Sequence, residues 1–144
     1  MKKSYLEDTL SKKLLLFTGK GGVGKTAIAM ATALLCKRHG KRVVFASWSP
    51  FDSSNQSLPE ENHEIETVHL ETLSAFREYA LHILKFNKLY DIIFDNPVLK
   101  TFVKAAPGLS ETVIAGKVWD LYDNGNQDIL IIDLPSSGHA FSFF

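Results

Sequence analysis

Between Phe17 and Thr26 the chain reads F-T-G-K-G-G-V-G-K-T, which contains G-x-x-x-x-G-K-[ST] with Gly19 and Gly24 as the fixed glycines and Lys25 and Thr26 closing it. Residue types in that order suit the binding of a triphosphate. A loop that wraps phosphate oxygens must turn several backbone N–H groups inward at once, and its glycines let the backbone take unusual dihedrals and approach closely. The partial positive charge at the start of the following helix adds to the attraction. Lys25 is expected to reach the β- and γ-phosphates, and the Thr26 hydroxyl to ligate Mg²⁺. The whole run Gly19, Lys20, Gly21, Gly22, Val23, Gly24, Lys25 and Thr26 is the expected nucleotide-contacting set.

A second candidate lies far along the chain. D-I-L-I-I-D, from Asp128 to Asp133, is an apolar strand ending in an aspartate. A nucleotide site built on such a loop needs a carboxylate at a strand end to hold the Mg²⁺ shell, directly or through water. Asp133 is assigned that role, with Thr26 as the other metal-side residue. Downstream, Gly138 would let the backbone turn toward a γ-phosphate as a switch; His139 beside it is read as structural rather than catalytic.

The elements that must position these groups follow from local patterning. Leu14-Leu15-Leu16-Phe17 is a continuous apolar run, as expected of a strand covered on both faces, and is taken as the central strand. From Lys25 to His39 apolar residues surround nearly the whole helix, which predicts burial against a sheet. Gly40 is the expected C′ residue. The cations at 37, 38, 39, 41 and 42 are explained by the helix macrodipole rather than by nucleic-acid binding. Arg42 to Ala46 is a second buried strand, opening into a Ser-, Pro- and Asn-rich loop. Glu64 to Leu70 gives a third, in which Ile65, Thr67 and His69 alternate with Glu66 and Val68.

An amphipathic helix starts at Thr72, capped by Thr72 or Ser74, and runs to about Lys88. Tyr90 to Phe94 is read as a short helix, and Pro107-Gly108 as a break. A helix from Ser110 follows, with Val113, Ile114, Lys117 and Leu121 along one side. Trp119 and Tyr122 add aromatic area read as core, and Asn124-Gly125-Asn126 ends the helix. The order predicts an α/β fold of the P-loop NTPase type: a mainly parallel sheet flanked by helices, with a helical block at 72–124 between the third and fourth strands.

The chain has 144 residues, a length that predicts one domain, or part of one, around a single core. Sixteen basic and sixteen acidic side chains cancel, so no global field draws it to nucleic acid or an acidic membrane. Cys36 is the only cysteine, which excludes an internal disulfide and any multi-cysteine metal site within one chain. The N-terminus lacks the apolar core of a signal peptide, and no apolar run approaches the length of a membrane span. The reading is a cytoplasmic protein with no direct membrane insertion.

G-K-G-G-V-G-K-T carries an extra lysine, Lys20, after the first glycine. It resembles the deviant P-loop of the superfamily that includes MinD, ParA, the nitrogenase iron protein and the arsenite-pump ATPase. D-L-P-S-S-G-H-A, from Asp133 to Ala140, is similar to the D-T-A-P-T-G-H-T segment of the arsenite-pump and tail-anchored-protein-targeting ATPases. A-A-P-G-L-S-E, from Ala105 to Glu111, is similar to that branch's P-G-x-x-E helix start, and S-A-F-R-E-Y near Ser74 also matches. The resemblance implies ATP with Mg²⁺ as the nucleotide and a homodimer, or a pair with a related ATPase, closing around it. It gives Lys20 a catalytic role, reaching across the interface to the other subunit's phosphates. The helical block would pass the nucleotide state to a partner.

Two departures from the family pattern qualify that implication. Where the family has S-T-D-P-A-H-S, with an aspartate that positions the attacking water, this chain has S-W-S-P-F-D-S, so the aligned residue is Ser49. Loss of that carboxylate should slow hydrolysis and leave phosphate binding largely intact, unless Asp52 substitutes as the catalytic carboxylate. Family members also continue well beyond the position of Phe144. Residues 1–144 are accordingly expected to be the N-terminal part of one nucleotide-binding domain, a truncated product, or a protein that borrows its missing half. The alternatives are a non-catalytic nucleotide-binding or interaction module paired with an active relative, and a positioning ATPase like MinD or ParA. Nitrogenase-type electron transfer is disfavoured, because its ligand cysteines have no counterpart.

Overall fold

A computed structural model describes residues 5–48, 65–84, 96–98, 101, 106 and 108–136. Its elements run α1 (Tyr5–Leu10), β1 (Leu14–Gly19), α2 (Lys25–Arg38), β2 (Val43–Trp48), β3 (Glu66–Leu70), α3 (Thr72–Leu84), α4 (Leu109–Asn124) and β4 (Ile129–Ser136). The four strands form one sheet in the order β1-β4-β2-β3, and every pairing is parallel. The expected α/β architecture is therefore present, with helices on both faces.

Side-chain alternation divides the interior into two layers. Val43 and Phe45 of β2 and Ile129 and Ile131 of β4 pack with Ala29, Ala33 and Cys36 of α2 on one face. On the other, Val44, Ala46, Trp48, Leu130, Ile132 and Leu134 pack with Ala75 of α3 and Val113, Ile114 and Val118 of α4. The sequence predicted a single core; a sheet with helices on both faces necessarily makes two. Ile65, just before β3, joins the α2 side and Leu70 of β3 the α3/α4 side, while Thr67 and His69 are exposed.

β1 is not the central strand. It lies at one end of the described sheet, only half covered, and β4 sits between β1 and β2. An apolar run reports that both faces of a strand meet something, not which strands stand beside it. The four consecutive apolar residues of β4 are fully buried, which is the signature of the central position.

α2 is buried along a stripe rather than all round. The small side chains Ala29, Ala33 and Cys36, at intervals of four and three, lie against the sheet, whereas Ile28 is 58% and Leu35 40% exposed. Small residues permit close helix-to-sheet approach, and that spacing, more than overall apolarity, chose the buried face. Burial pushes the Cys36 thiol above its usual pKa, as expected of a small apolar filler.

The C-terminus of α2 closes as expected. Gly40 takes φ +77°, its N–H donates to the Lys37 carbonyl at 2.9 Å, and the Lys41 N–H donates to the Cys36 carbonyl at 3.1 Å. This is a Schellman closure with Gly40 at C′. At the start of α3, Glu71 rather than Thr72 or Ser74 precedes the first helical residue. Its carbonyl accepts from the Ala75 N–H at 2.9 Å, and its carboxylate accepts from the Ser74 hydroxyl at 2.6 Å.

On α4 one aromatic residue departs from expectation, Trp119, while Tyr122 packs against the core as expected. Val113, Ile114 and Val118 form the buried stripe, while Trp119 is 66% exposed. Tyr122 is half-buried, with the Lys13 ammonium 4.4 Å from its ring centre. Lys117, expected on the apolar side, bonds Glu78 of α3 at 2.5 Å and lies 3.7 Å from Asp120. The expected helix end at 85–88 and the short helix at 90–94 lie outside the described residues.

The amino ends of β2 and β4 are clamped by Arg42 and Asp128. The Asp128 carboxylate accepts from the Arg42 backbone N–H at 2.9 Å and from its guanidinium at 3.0 and 3.3 Å. These hydrogen bonds hold the Asp128 carboxyl down at about 2, so it is ionised at neutral pH. The clamp fixes the start of β4, and its regular course then carries Asp133 toward the carboxyl ends of the strands.

Candidate functional site

The site forms where the carboxyl ends of β1 and β4 meet the start of α2. Gly24 precedes the first residue of α2 with φ +86°, a left-handed conformation that an L side chain would resist, and its carbonyl accepts from the Ile28 N–H at 3.0 Å. Gly22 is likewise left-handed at φ +76°. The loop thus leaves β1 and enters α2 through backbone shapes for which glycine is suited. Lys20, Gly21, Gly22, Val23 and Gly24 are exposed, Gly19 half-buried.

Lys25 turns back over this loop, its ammonium donating to the Lys20 carbonyl at 3.0 Å. The charge is therefore held above the loop backbone, where phosphate oxygens would lie. Thr26, one residue further along α2, donates its hydroxyl hydrogen bond to Asp133 Oδ2 at 2.5 Å. These residues are separated by 107 positions in sequence.

Strand parity explains the meeting. Ile129 and Ile131 point toward α2, so Asp133 must too, at the level of the helix's first turn. The ladder between β1 and β4 runs regularly from Leu14↔Leu130 to Phe17↔Asp133, then shifts so that Gly19 faces Ser136. Two steps along β1 thus oppose three along β4, and Pro135, which has no N–H to give, lies within the irregular stretch. The irregularity begins just after Asp133, three residues before the end of β4.

Asp133 is only 9% exposed, and its Oδ1 is buried with no hydrogen-bond partner among the described residues. A buried carboxylate oxygen without a partner is costly and calls for a cation or an ordered water. With the Thr26 hydroxyl alongside, the donor set is all oxygen, which fits Mg²⁺. Among the described residues no three His, Cys, Asp or Glu side chains cluster to hold a metal ion.

Of the residues expected from sequence, the loop Gly19–Thr26 and Asp133 are brought together. Asp52, Gly138, Ser49 and His139 lie outside the described residues. One further side chain adjoins the site: Ser47, in register with Asp133 across the β2–β4 ladder. Sequence pattern places it at the start of a loop. The alternation Val43, Phe45, Ser47 is the signal that it continues the strand.

The model of the anion-transporting ATPase family matches residues 12–144. The chain belongs to that family. It is 30% identical over 91% of its length to a protein of Aquifex aeolicus (strain VF5) provisionally named arsenical pump-driving ATPase 1, and covers 37% of that protein. It is 27% identical over 96% of its length to ATPase ASNA1 homolog 1 of Paramecium tetraurelia, covering 44% of it. A shorter stretch of 42 residues is 52% identical to the arsenical pump-driving ATPase of Escherichia coli, with 29% of this chain and 7% of that protein covered. The chain thus spans less than half the length of these relatives. The family match includes the loop, α2, β4 and Asp133, so the elements forming the site fall within it.

Proposed function

We propose that this chain binds Mg·ATP and is the nucleotide-binding part of an ATPase of the anion-transporting and tail-anchored-targeting type, acting as a nucleotide-dependent dimer switch in the cytoplasm. The observation that carries this reading is the Thr26–Asp133 hydrogen bond beside an unpartnered buried Oδ1, facing a glycine loop crossed by Lys25. Backbone N–H groups of Gly19–Thr26 and the α2 N-terminus hold the phosphates, and Lys25 moves from the Lys20 carbonyl to the β- and γ-oxygens. Thr26 and Asp133 hold the Mg²⁺ shell. Bound there, the cation neutralises charge shared by the β- and γ-phosphates. No helix among the described residues is long and apolar enough to cross a membrane.

Binding ranks ahead of hydrolysis in this reading. Ser49 stands where the family places its water-positioning aspartate, and turnover rests on Asp52 taking that part. The same substitution favours, as the second reading, a non-catalytic module that pairs with an active relative.

Calorimetric titration of Mg·ATP into the wild-type chain and Lys25→Ala tests the site. The wild type should bind and the variant should lose at least about tenfold in affinity, the scale of one strong charge-assisted contact. Equal affinities would overturn the reading. Lys20, exposed on the loop, is given the role of contacting the phosphates of a second subunit. Sedimentation should then show self-association driven by Mg·ATP in the wild type and not in Lys20→Ala; identical profiles would remove Lys20 from that role.

A further inference from the structure

Across the sheet, Phe17 aligns with Asp133, Asp133 with Ser47, and Ser47 with His69. The row lies on the α2 face, because Leu15, Phe17, Ile129, Ile131, Val43 and Phe45 all belong to that layer and side chains alternate along each strand. Neighbouring strands stand about 4.8 Å apart, so this register sets Ser47 immediately beside the Asp133 carboxylate. Asp133 commits Oδ2 to Thr26 and keeps a buried Oδ1 without a partner among the described residues. Ser47 is half-buried, and it breaks an inward sequence that is otherwise apolar, Val43 and Phe45, at the one level of the sheet where the cation shell needs oxygen donors.

We propose that Ser47 is a positioning residue for Asp133: its hydroxyl, through one bridging water, orients the free Oδ1 toward the Mg²⁺ shell of the bound nucleotide. This rests on the Mg·ATP reading given above and adds to it a residue from a third strand. A hydroxyl suits the task because it donates to a bridging water and accepts from a metal-bound one at the same time. Partners of this kind fix the orientation of a metal-side carboxylate, and their removal typically lowers metal affinity by about 10- to 100-fold.

The test compares ATP dissociation constants with Mg²⁺ and with EDTA, by calorimetry, for the full wild-type chain, Ser47→Ala and Ser47→Thr. Ser47→Ala is expected to weaken binding about tenfold in Mg²⁺ and to leave the EDTA value unchanged, collapsing the ratio of the two; Ser47→Thr restores it. A merely structural role would weaken both values alike. A Ser47→Ala chain that keeps the wild-type ratio, or loses affinity equally in both conditions, overturns the proposal while leaving the nucleotide site standing. A wild-type chain that binds ATP in neither condition overturns the reading of the site itself, and the role of Ser47 with it.

Discussion

Asp133→Asn is expected to raise thermal stability and to abolish the Mg²⁺ dependence of nucleotide binding. The carboxylate is nine-tenths buried in β4, one oxygen bonded to Thr26 and the other unpartnered among the described residues. Burying a polar group without a partner costs about 1–3 kcal/mol, and more when it is charged. Asparagine keeps a carbonyl oxygen for the Thr26 hydroxyl and puts a neutral N–H₂ where the unpartnered charged oxygen was, so the folded state should gain about 1 kcal/mol from the lost charge. For a domain of this size that corresponds to a midpoint higher by a few degrees, at about 2–4 °C per kcal/mol. The neutral amide can neither attract the cation nor turn its N–H₂ toward a metal-bound oxygen productively. ATP binding in Mg²⁺ should therefore fall to the level seen in EDTA. Differential scanning calorimetry and parallel titrations check both halves. A variant that is less stable, yet still binds more tightly with Mg²⁺ than without, would mean that Asp133 is a structural partner of Thr26 and not a metal-side residue.

A gain of stability on removing a site residue is what a binding site should produce. The cost of holding an unsatisfied oxygen in the fold is offset when the ligand arrives, and the rest of the sheet tolerates it because β4 is so thoroughly buried. The same reasoning bears on what the sequence could disclose. The glycine loop was legible because its chemistry demands particular residues at fixed intervals: Gly24 must be left-handed, Lys25 and Thr26 must follow at the helix start. Asp133 was legible because an apolar run ends on a charge. Gly40 was legible because a glycine directly after a helical pattern whose last turn carries Lys37 and Arg38 marks a common left-handed closure, a shape glycine takes at the lowest steric cost.

What escaped was relational. Nothing in Leu14-Leu15-Leu16-Phe17 says that β4, arriving more than a hundred residues later, will stand between β1 and β2. The stripe Ala29, Ala33, Cys36 was hidden among larger apolar neighbours, because hydrophobicity scales reward Ile28 and Leu35 while close packing rewards small side chains. Trp119 is apolar by composition but sits one position past the buried stripe of α4. Ser47 acquired meaning only once the β2–β4 register put it beside Asp133. Local pattern thus picked out the loop and Asp133, which the fold brings together, and passed over Ser47, whose place beside Asp133 depends on the register of a third strand.

Ile131→Ala and Ile132→Ala separate fold from site within one strand. Both side chains are fully buried in β4, and either truncation is expected to cost about 2–5 kcal/mol in urea unfolding, through lost transfer energy and the cavity left behind. Their surroundings differ. Ile131 points into the layer beneath α2, with Ala29, Ala33 and Phe45, two residues before Asp133 on the same face. Ile132 points the other way, toward α3 and α4. A cavity under α2 lets the helix settle or tilt, and the start of that helix carries Lys25 and Thr26. Ile131→Ala should therefore also weaken Mg·ATP binding, with coupling in the range of about 0.5–3 kcal/mol found for packed neighbours. Ile132→Ala, measured at a temperature where both variants are folded, should bind as the wild type does. Equal losses of affinity in the two would show that the site senses β4 as a whole; loss in Ile131→Ala alone would show that α2, braced from below by its small-residue stripe, is what holds the loop in register with Asp133.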